Sequence, residues 1–246
     1  MKYFAKIRYL GTDFHGFQVQ PEERTVQGEL CRALAEATGV SCKVTGCSRT
    51  DAGVHANEFC ITVEGDFTIP ADKLSVAVAR FLPTDLSLFY AEECDSDFHP
   101  RYDVVSKEYL YKIKNERVYD PFYYGRAWFL PREIKEDQIE LMRSAANYML
   151  GKRDFSTFMS PGSDVEDTVR TIFYIDIQKI GTTIDIRICA DGFLYNMVRI
   201  IVGTLTEVAY GRIRPEEISA IIESHDRKRA GMTAPPDGLY LNKVSY

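Results

Sequence analysis

Apolar and polar positions alternate at the start of the chain. In residues 2–10, Ala5, Ile7 and Tyr9 face one way and Lys6 and Arg8 the other, which predicts a half-buried strand. The period then changes. From Thr25, a side chain suited to capping, Val26, Leu30, Ala33, Leu34 and Ala37 fall on one helical face, and Gly39 can close the helix in the left-handed conformation. Two strand-like stretches follow, about 40–47 and 57–63. Pro70 opens a second helix through Ala77 and Arg80, and a strand at about 86–91 ends the first half. The second half begins near Val104. Residues 107–114 alternate, with Tyr109, Tyr111 and Ile113 on one face. A helix is expected over 136–150 on a stripe of Ile139, Met142, Ala146 and Met149. Strands at 171–179 and 183–189 join through Gly181, a helical stretch covers 193–208, Pro215 opens a short helix, and a last strand lies near 239–244.

Each half reads approximately as β-α-β-β-α-β, the ferredoxin-like order. The expected fold class is α+β, with two such halves packed side by side around a cleft, residues 1–103 and 104–246. No sequence repeat relates the halves, so the duplication rests on element order alone. The longest apolar run, near residues 197–205, is broken by Arg199, Gly203 and Thr204. No stretch reaches the ~20 apolar residues of a membrane span, and the N-terminus lacks a secretory pattern.

Composition adds one difficulty. At 246 residues, 45% hydrophobic and 27% charged, the chain is ordinary for a globular protein, but its net charge is −6. A nucleic-acid binder of this charge needs a local basic face. Basic residues do collect at Arg101, Lys107, Lys112, Lys114 and Arg117, and again at Arg227, Lys228 and Arg229; each run is by default a solvated surface. The six cysteines form no Cys-x-x-Cys pair and the four histidines are scattered, so zinc spacing is lacking. Reduced, buried thiols in a cytoplasmic protein are the expectation.

The segment richest in chemistry is Gly46-Cys47-Ser48-Arg49-Thr50-Asp51-Ala52-Gly53-Val54-His55-Ala56, between two expected strands. Its glycines allow a sharp turn and close backbone approach. Arg49 and Asp51 stand two apart, so on extended backbone they share a face. The ordinary fate of such a pair is a loop salt bridge; catalysis is the rarer one.

These eleven residues resemble the signature of the TruA family of tRNA pseudouridine synthases. Further segments resemble that family in the same order. They are Tyr9-Leu10-Gly11-Thr12-Asp13-Phe14-His15-Gly16-Phe17-Gln18, Phe98-His99-Pro100-Arg101-Tyr102, Lys107-Glu108-Tyr109-Leu110-Tyr111 and Asp154-Phe155-Ser156-Thr157-Phe158. Asp191-Gly192-Phe193-Leu194-Tyr195-Asn196-Met197-Val198-Arg199 and Thr233-Ala234-Pro235-Pro236-Asp237-Gly238-Leu239-Tyr240-Leu241 complete a set covering nearly the whole chain. Departures are small: Cys47-Ser48 stand where the family often has Ala-Gly, Asn196 where it often has His, and Ile200 where it often has Asn.

The resemblance implies the pseudouridine synthase fold and an isomerase acting on uridines 38, 39 and 40 of the tRNA anticodon stem-loop, with no cofactor and no metal. It implies a homodimer in the cytoplasm, with no membrane partner. A stacked uracil must be everted to be reached, at a cost of a few kcal/mol. By resemblance Asp51 is the nucleophilic carboxylate, with attack on base or sugar left open, and Arg199 keeps it ionised. Tyr109 stacks on the uracil and can take part in proton transfer from C5, and Arg49 fills the space of the everted base. Leu194 would floor the base. His55 and His99 would contact RNA, although core roles are the commoner fate of Leu194, His55, His99 and of Tyr109 itself. A non-catalytic RNA-binding module, a pseudouridine synthase of other specificity, and an acid–base hydrolase stand as alternatives.

Overall fold

The computed structural model describes residues 1–162 and 165–246. It resolves into two compact units, one of residues 1–105 with 240–246 and one of 106–239.

The first unit opens with β1 (Lys2–Tyr9), whose Tyr3, Phe4, Ala5, Ile7 and Tyr9 are buried while Arg8 is exposed. Helix α1 (Val26–Thr38) starts where the Thr25 hydroxyl accepts the Gly28 amide at 3.3 Å. It stops at Gly39, which has φ 76°. Its Val26, Leu30, Ala33 and Leu34 are buried, and burying each such aliphatic side chain contributes ~1.5–3 kcal/mol before entropy is counted. After β2 (Lys43–Gly46) and β3 (His55–Glu64) comes α2 (Ala71–Ala79), entered from Pro70, and β4 (Leu86–Glu93) completes the β-α-β-β-α-β series. β1 lies between β4 and β3, antiparallel to both, with Ala5 opposite Ile61 and Ala91. β2 pairs antiparallel with the far end of β3, from Gly46 opposite Ile61 to Lys43 opposite Glu64. The order β4-β1-β3-β2 is therefore the ferredoxin-like one.

The second unit contains β5 (Ser106–Asn115), β6 (Trp128–Leu130), α3 (Glu136–Asn147), β7 (Gly151–Asp154), β8 (Val169–Ile180), β9 (Thr183–Ala190), α4 (Met197–Ala209) and α5 (Glu217–Glu223). β5, β9, β8 and β7 run antiparallel in that order, and the three-residue β6 adds parallel to the end of β5. α3 and α4 pack together. Of the thirteen residues of α4, only Arg199 and Glu207 escape full burial.

Three differences from the sequence reading have identifiable physical causes. α4 begins at Met197 and not at 193, because Asn196 adopts φ 61°, a left-handed conformation a helix interior cannot hold. β6 and β7 are too short to show a period. The final strand β10 (Leu239–Ser245), expected with the second half, has its residues 240–245 in the first unit. β2 covers only residues 61–64 of β3, which leaves that edge open at His55 and Ala56, and Tyr240 and Leu241 pair there in parallel. The Tyr240 ring stacks on His55 at 4.4 Å, Tyr246 meets Phe4 at 5.5 Å and Phe98 at 5.1 Å, and Val105 donates to the Ser245 carbonyl.

Candidate active site

The connection between β2 and β3, residues 47–54, carries Arg49 and Asp51 on a braced turn. The Val54 amide donates to the Asp51 carbonyl at 3.2 Å, closing the turn, and Cys47 donates to the Cys60 carbonyl at its base. A second loop, residues 11–17, is pressed against it. Phe17 donates to the Thr50 carbonyl, Gly53 donates to the Phe14 carbonyl, and the hydroxyls of Tyr9 and Thr50 meet at 2.8 Å. The approach is close enough to require glycine at two points. A Cβ on Gly11 would stand 2.0 Å from the Val54 carbonyl oxygen. One on Gly16, which has φ 84°, would stand 2.7 Å from the Thr50 carbonyl oxygen.

This bracing places Asp51, half-buried, in the wall of a hollow of about 380 Å³, with Thr50, Ala52, Gln18, His15 and Glu23 also in the wall. His15 and Glu23 pair through Nδ1 and Oε2. The volume lies within the ~300–1,000 Å³ of small-ligand sites. Arg49 and Asp51 flank the buried Thr50, yet they line separate hollows: Arg49 is exposed and belongs to a second one with Lys43, His99 and Arg101. His55 is wholly buried, stacked on Tyr240, and its Nδ1 accepts the Gly11 amide at 2.9 Å. It is a structural residue that ties loop 11–17 to β3, and no RNA contact is open to it.

Tyr109, Leu194 and Arg199 belong to the second unit. Tyr109, on β5 opposite Ile188, is 8% exposed, and its ring meets Phe193 edge to face at 5.0 Å. Leu194 is buried. Arg199 is half-buried in the first turn of α4. Its Nε donates to the Ala234 carbonyl at 2.6 Å and its Nη1 to Asn196 Oδ1 at 2.7 Å, while Ala234 N–H donates back to the Arg199 carbonyl. No acidic side chain occupies that first turn, so the guanidinium and the helix N-terminus add to one another as positive potential. Tyr111, two residues beyond Tyr109, was not among the residues expected to bear on the site. It is fully buried, and its hydroxyl donates to the Pro235 carbonyl at 2.8 Å. Burial holds its phenol well above the ordinary range, opposed by Arg199 and reinforced by Asp237. The alternation of β5 was the signal for it.

Among the described residues no cluster of three or more His, Cys, Asp or Glu is placed to hold a metal ion, and no helix is long and apolar enough to cross a membrane.

A family model described as tRNA pseudouridine synthase matches residues 5–103 and 145–246. A tRNA pseudouridine synthase A of Clostridium botulinum is 46% identical over 242 residues, spanning 98% of this chain and 97% of its own. One of Acetivibrio thermocellus is 44% identical, and a tRNA pseudouridine synthase A 2 of Clostridium tetani is 41% identical, each with the same two coverages. Among solved structures, a chain of a Cbf5-Nop10-Gar1 complex aligns with 98% of this chain and 58% of its own at 11% identity and a TM-score of 0.38, too loose a likeness to bear on function.

Proposed function

The chain belongs to the tRNA pseudouridine synthase family, and from that premise we propose that it converts uridines 38, 39 and 40 of the tRNA anticodon stem-loop to pseudouridine, with Asp51 as the nucleophile. In this isomerisation the N1–C1′ bond breaks, the uracil turns, C5 bonds to C1′, and the proton leaving C5 is balanced by one gained at N1. No atom enters or leaves, so the protein's contribution is to evert the base, hold it, bond transiently to the nucleotide at its base or its sugar, and move one proton.

The observation that carries the reading is the seat of Asp51. A carboxylate on a mobile loop tip would be a poor nucleophile, since its geometry would have to be found anew in each turnover. Here the turn is closed by its own hydrogen bond and clamped by a glycine-tight second loop, and the side chain stands half-buried in a hollow with polar walls. Tyr109, buried beside Phe193, offers an aromatic face for the uracil and a phenol for the C5 proton. Arg199, fixed by Ala234 and Asn196 in the first turn of α4, offers a held cation. Arg49 acts on the substrate strand once the base has left the stack. We infer cytoplasmic placement, where tRNA is modified, and a homodimer, for which the exposed Val118, Phe122 and Tyr124 supply apolar surface.

Mapping pseudouridine in unmodified tRNA after incubation with the wild-type and Asp51→Asn proteins tests the reading. Product at positions 38–40 is expected with the first and none with the second, at undiminished tRNA binding. Turnover by Asp51→Asn near the wild-type rate removes the carboxylate from its role; a wild-type protein that binds tRNA without making pseudouridine removes the activity.

A further inference from the structure

The second hollow of the first unit, about 360 Å³, shares Phe17 and Gln18 with the hollow of Asp51 and is built for an anion. Lys43, Arg49, His99 and Arg101 line it, and no Asp or Glu does. The side chains of Arg49 and Arg101 make no hydrogen bond or ion pair among the described residues. Several other arginines of the chain do find carboxylates: Arg24 binds Asp85 at 2.8 and 2.9 Å, Arg32 binds Glu29 and Glu36, and Arg212 binds Glu207. Two guanidinium groups without partners in one hollow repel each other, and an anion between them reverses the sign of that interaction. Lys43 reaches Glu64 at 3.6 Å, but that bridge is exposed and worth little.

The turn that carries His99, Arg101 and Tyr102 is also held in place. His99 N–H donates to Asp103 Oδ2 at 2.7 Å, the His99 carbonyl accepts the amides of Tyr102 and Asp103, and the Tyr246 hydroxyl donates to the Pro100 carbonyl. The Arg101 amide donates to His99 Nδ1 at 3.1 Å, so the proton of the neutral ring is on Nε2, where it is a donor. Beside this turn the Tyr102 ring is 75% exposed. It lies 4.3 Å from the His99 ring and 6.0 Å from the Arg101 guanidinium. A flat, open aromatic next to cations without carboxylate partners is the pairing by which single-stranded nucleic acid is held, the base on the ring and the phosphate on the charge.

We propose that this hollow is a nucleotide subsite for the substrate RNA strand, in which Arg49 and Arg101 grip one phosphodiester next to the target uridine and Tyr102 stacks a neighbouring base. The proposal rests on RNA being the substrate and deepens that reading by assigning Lys43, His99, Arg101 and Tyr102, none of them needed for the chemical step. Because the hollow adjoins that of Asp51 through Phe17 and Gln18, a strand held here is anchored where its next nucleotide must leave the stack.

The test measures binding of an anticodon stem-loop RNA to Arg101→Gln and Tyr102→Ala proteins, in the wild-type and Asp51→Asn backgrounds. Both side chains are exposed, and unchanged thermal melting confirms folding. Arg101→Gln should weaken binding by roughly tenfold and reduce the slope of log affinity against log salt by about 0.7–0.9, the value for one phosphate. Tyr102→Ala should weaken binding several-fold and leave the slope unaltered. Replacing single linkages of the RNA by neutral methylphosphonates should find one linkage whose loss costs the wild type clearly more affinity than it costs Arg101→Gln, which keeps only Arg49 on it. Unchanged affinity and slope in Arg101→Gln, or no linkage coupled to it, overturns the subsite. Loss confined to uridine monophosphate or inorganic phosphate, with RNA binding intact, also overturns it in favour of a free-anion site. Failure of the wild type to form pseudouridine, with the linkage coupling present, overturns the proposed reaction and leaves the subsite standing.

Discussion

Two tyrosines two residues apart on β5 show what a sequence discloses and what it withholds. Alternation places Tyr109 and Tyr111 on one face, and nothing in the pattern distinguishes them. The surroundings do: Tyr111 spends its hydroxyl on the Pro235 carbonyl, whereas Tyr109 meets Phe193 edge to face. Tyr111→Phe should therefore cost ~1 kcal/mol in urea unfolding, the net worth of a part-buried hydrogen bond. Tyr109→Phe should lower single-turnover pseudouridine formation by ~10²-fold or more, the ordinary worth of a positioned acid or base. Equal rate losses in the two variants would mean that Tyr109 acts only as packing. Buried acids supply a second expectation. Burial, with smaller contributions from Cys47 and Glu58, pushes the Cys60 thiol up to about 12 from an ordinary 9.0, and the Tyr111 and Tyr246 phenols are raised as well. For such groups the folded state favours the protonated form. The stability they contribute is complete below the unfolded pKa and is lost as pH rises from about 9 towards 12. Stability should fall in that window, and Cys60→Ala should flatten the fall by up to ~1.4 kcal/mol per pH unit. An unchanged slope in the variant would place the alkaline sensitivity elsewhere.

Elements with local stop and start signals were legible; elements that depend on distant neighbours were not. α1 has its Thr25 cap and its Gly39 end in the chain itself, and both stand where the sequence put them. The start of α4 depends on one backbone angle at Asn196, and β10 depends on an edge of β3 that only the shortness of β2 leaves open. The candidate site divides the same way. The turn at 47–54 announces itself by its glycines, but the loop that braces it lies about forty residues earlier, and its closeness shows only in space. Gly11 is the sharpest probe of that contact. In Gly11→Ala the new methyl would meet the Val54 carbonyl oxygen, a backbone atom with no rotamer to yield, so the Asp51 turn must shift. We expect a loss of ~1–3 kcal/mol in stability from overpacking and, above it, a fall in kcat greater than the change in tRNA affinity. If affinity fell and kcat did not, the brace would serve docking and not the chemistry.

At the scale of the whole molecule, the question posed by a net charge of −6 is where RNA finds a positive surface. The sequence offered two basic runs, and the structure spends much of both on itself. Lys112 faces Asp185, and Lys114 is enclosed by Glu116, Asp120 and the Tyr123 ring. Arg227 donates to the Gly231 carbonyl at 2.9 Å and to the Thr233 hydroxyl at 3.0 Å, and burial draws its pKa down. Arg101, from the first run, lines the hollow with Lys43 and Arg49, which no run contained. Charge counted along the chain thus overstates the footprint in one place and misses it in another, because pairing is decided by the fold. The consequence is measurable. If Arg49 and Arg101 share one phosphate and Lys43 meets another, tRNA affinity should fall with salt, contributing about −1.4 to −1.8 to the log–log slope despite the negative total. Arg227→Gln, which breaks an internal strap, should lower the melting temperature and leave that slope intact; Arg101→Gln should do the reverse. A slope that responded to Arg227 and ignored Arg101 would mean that RNA lies along the 227–229 turn, and that the hollow beside Asp51 is not its path.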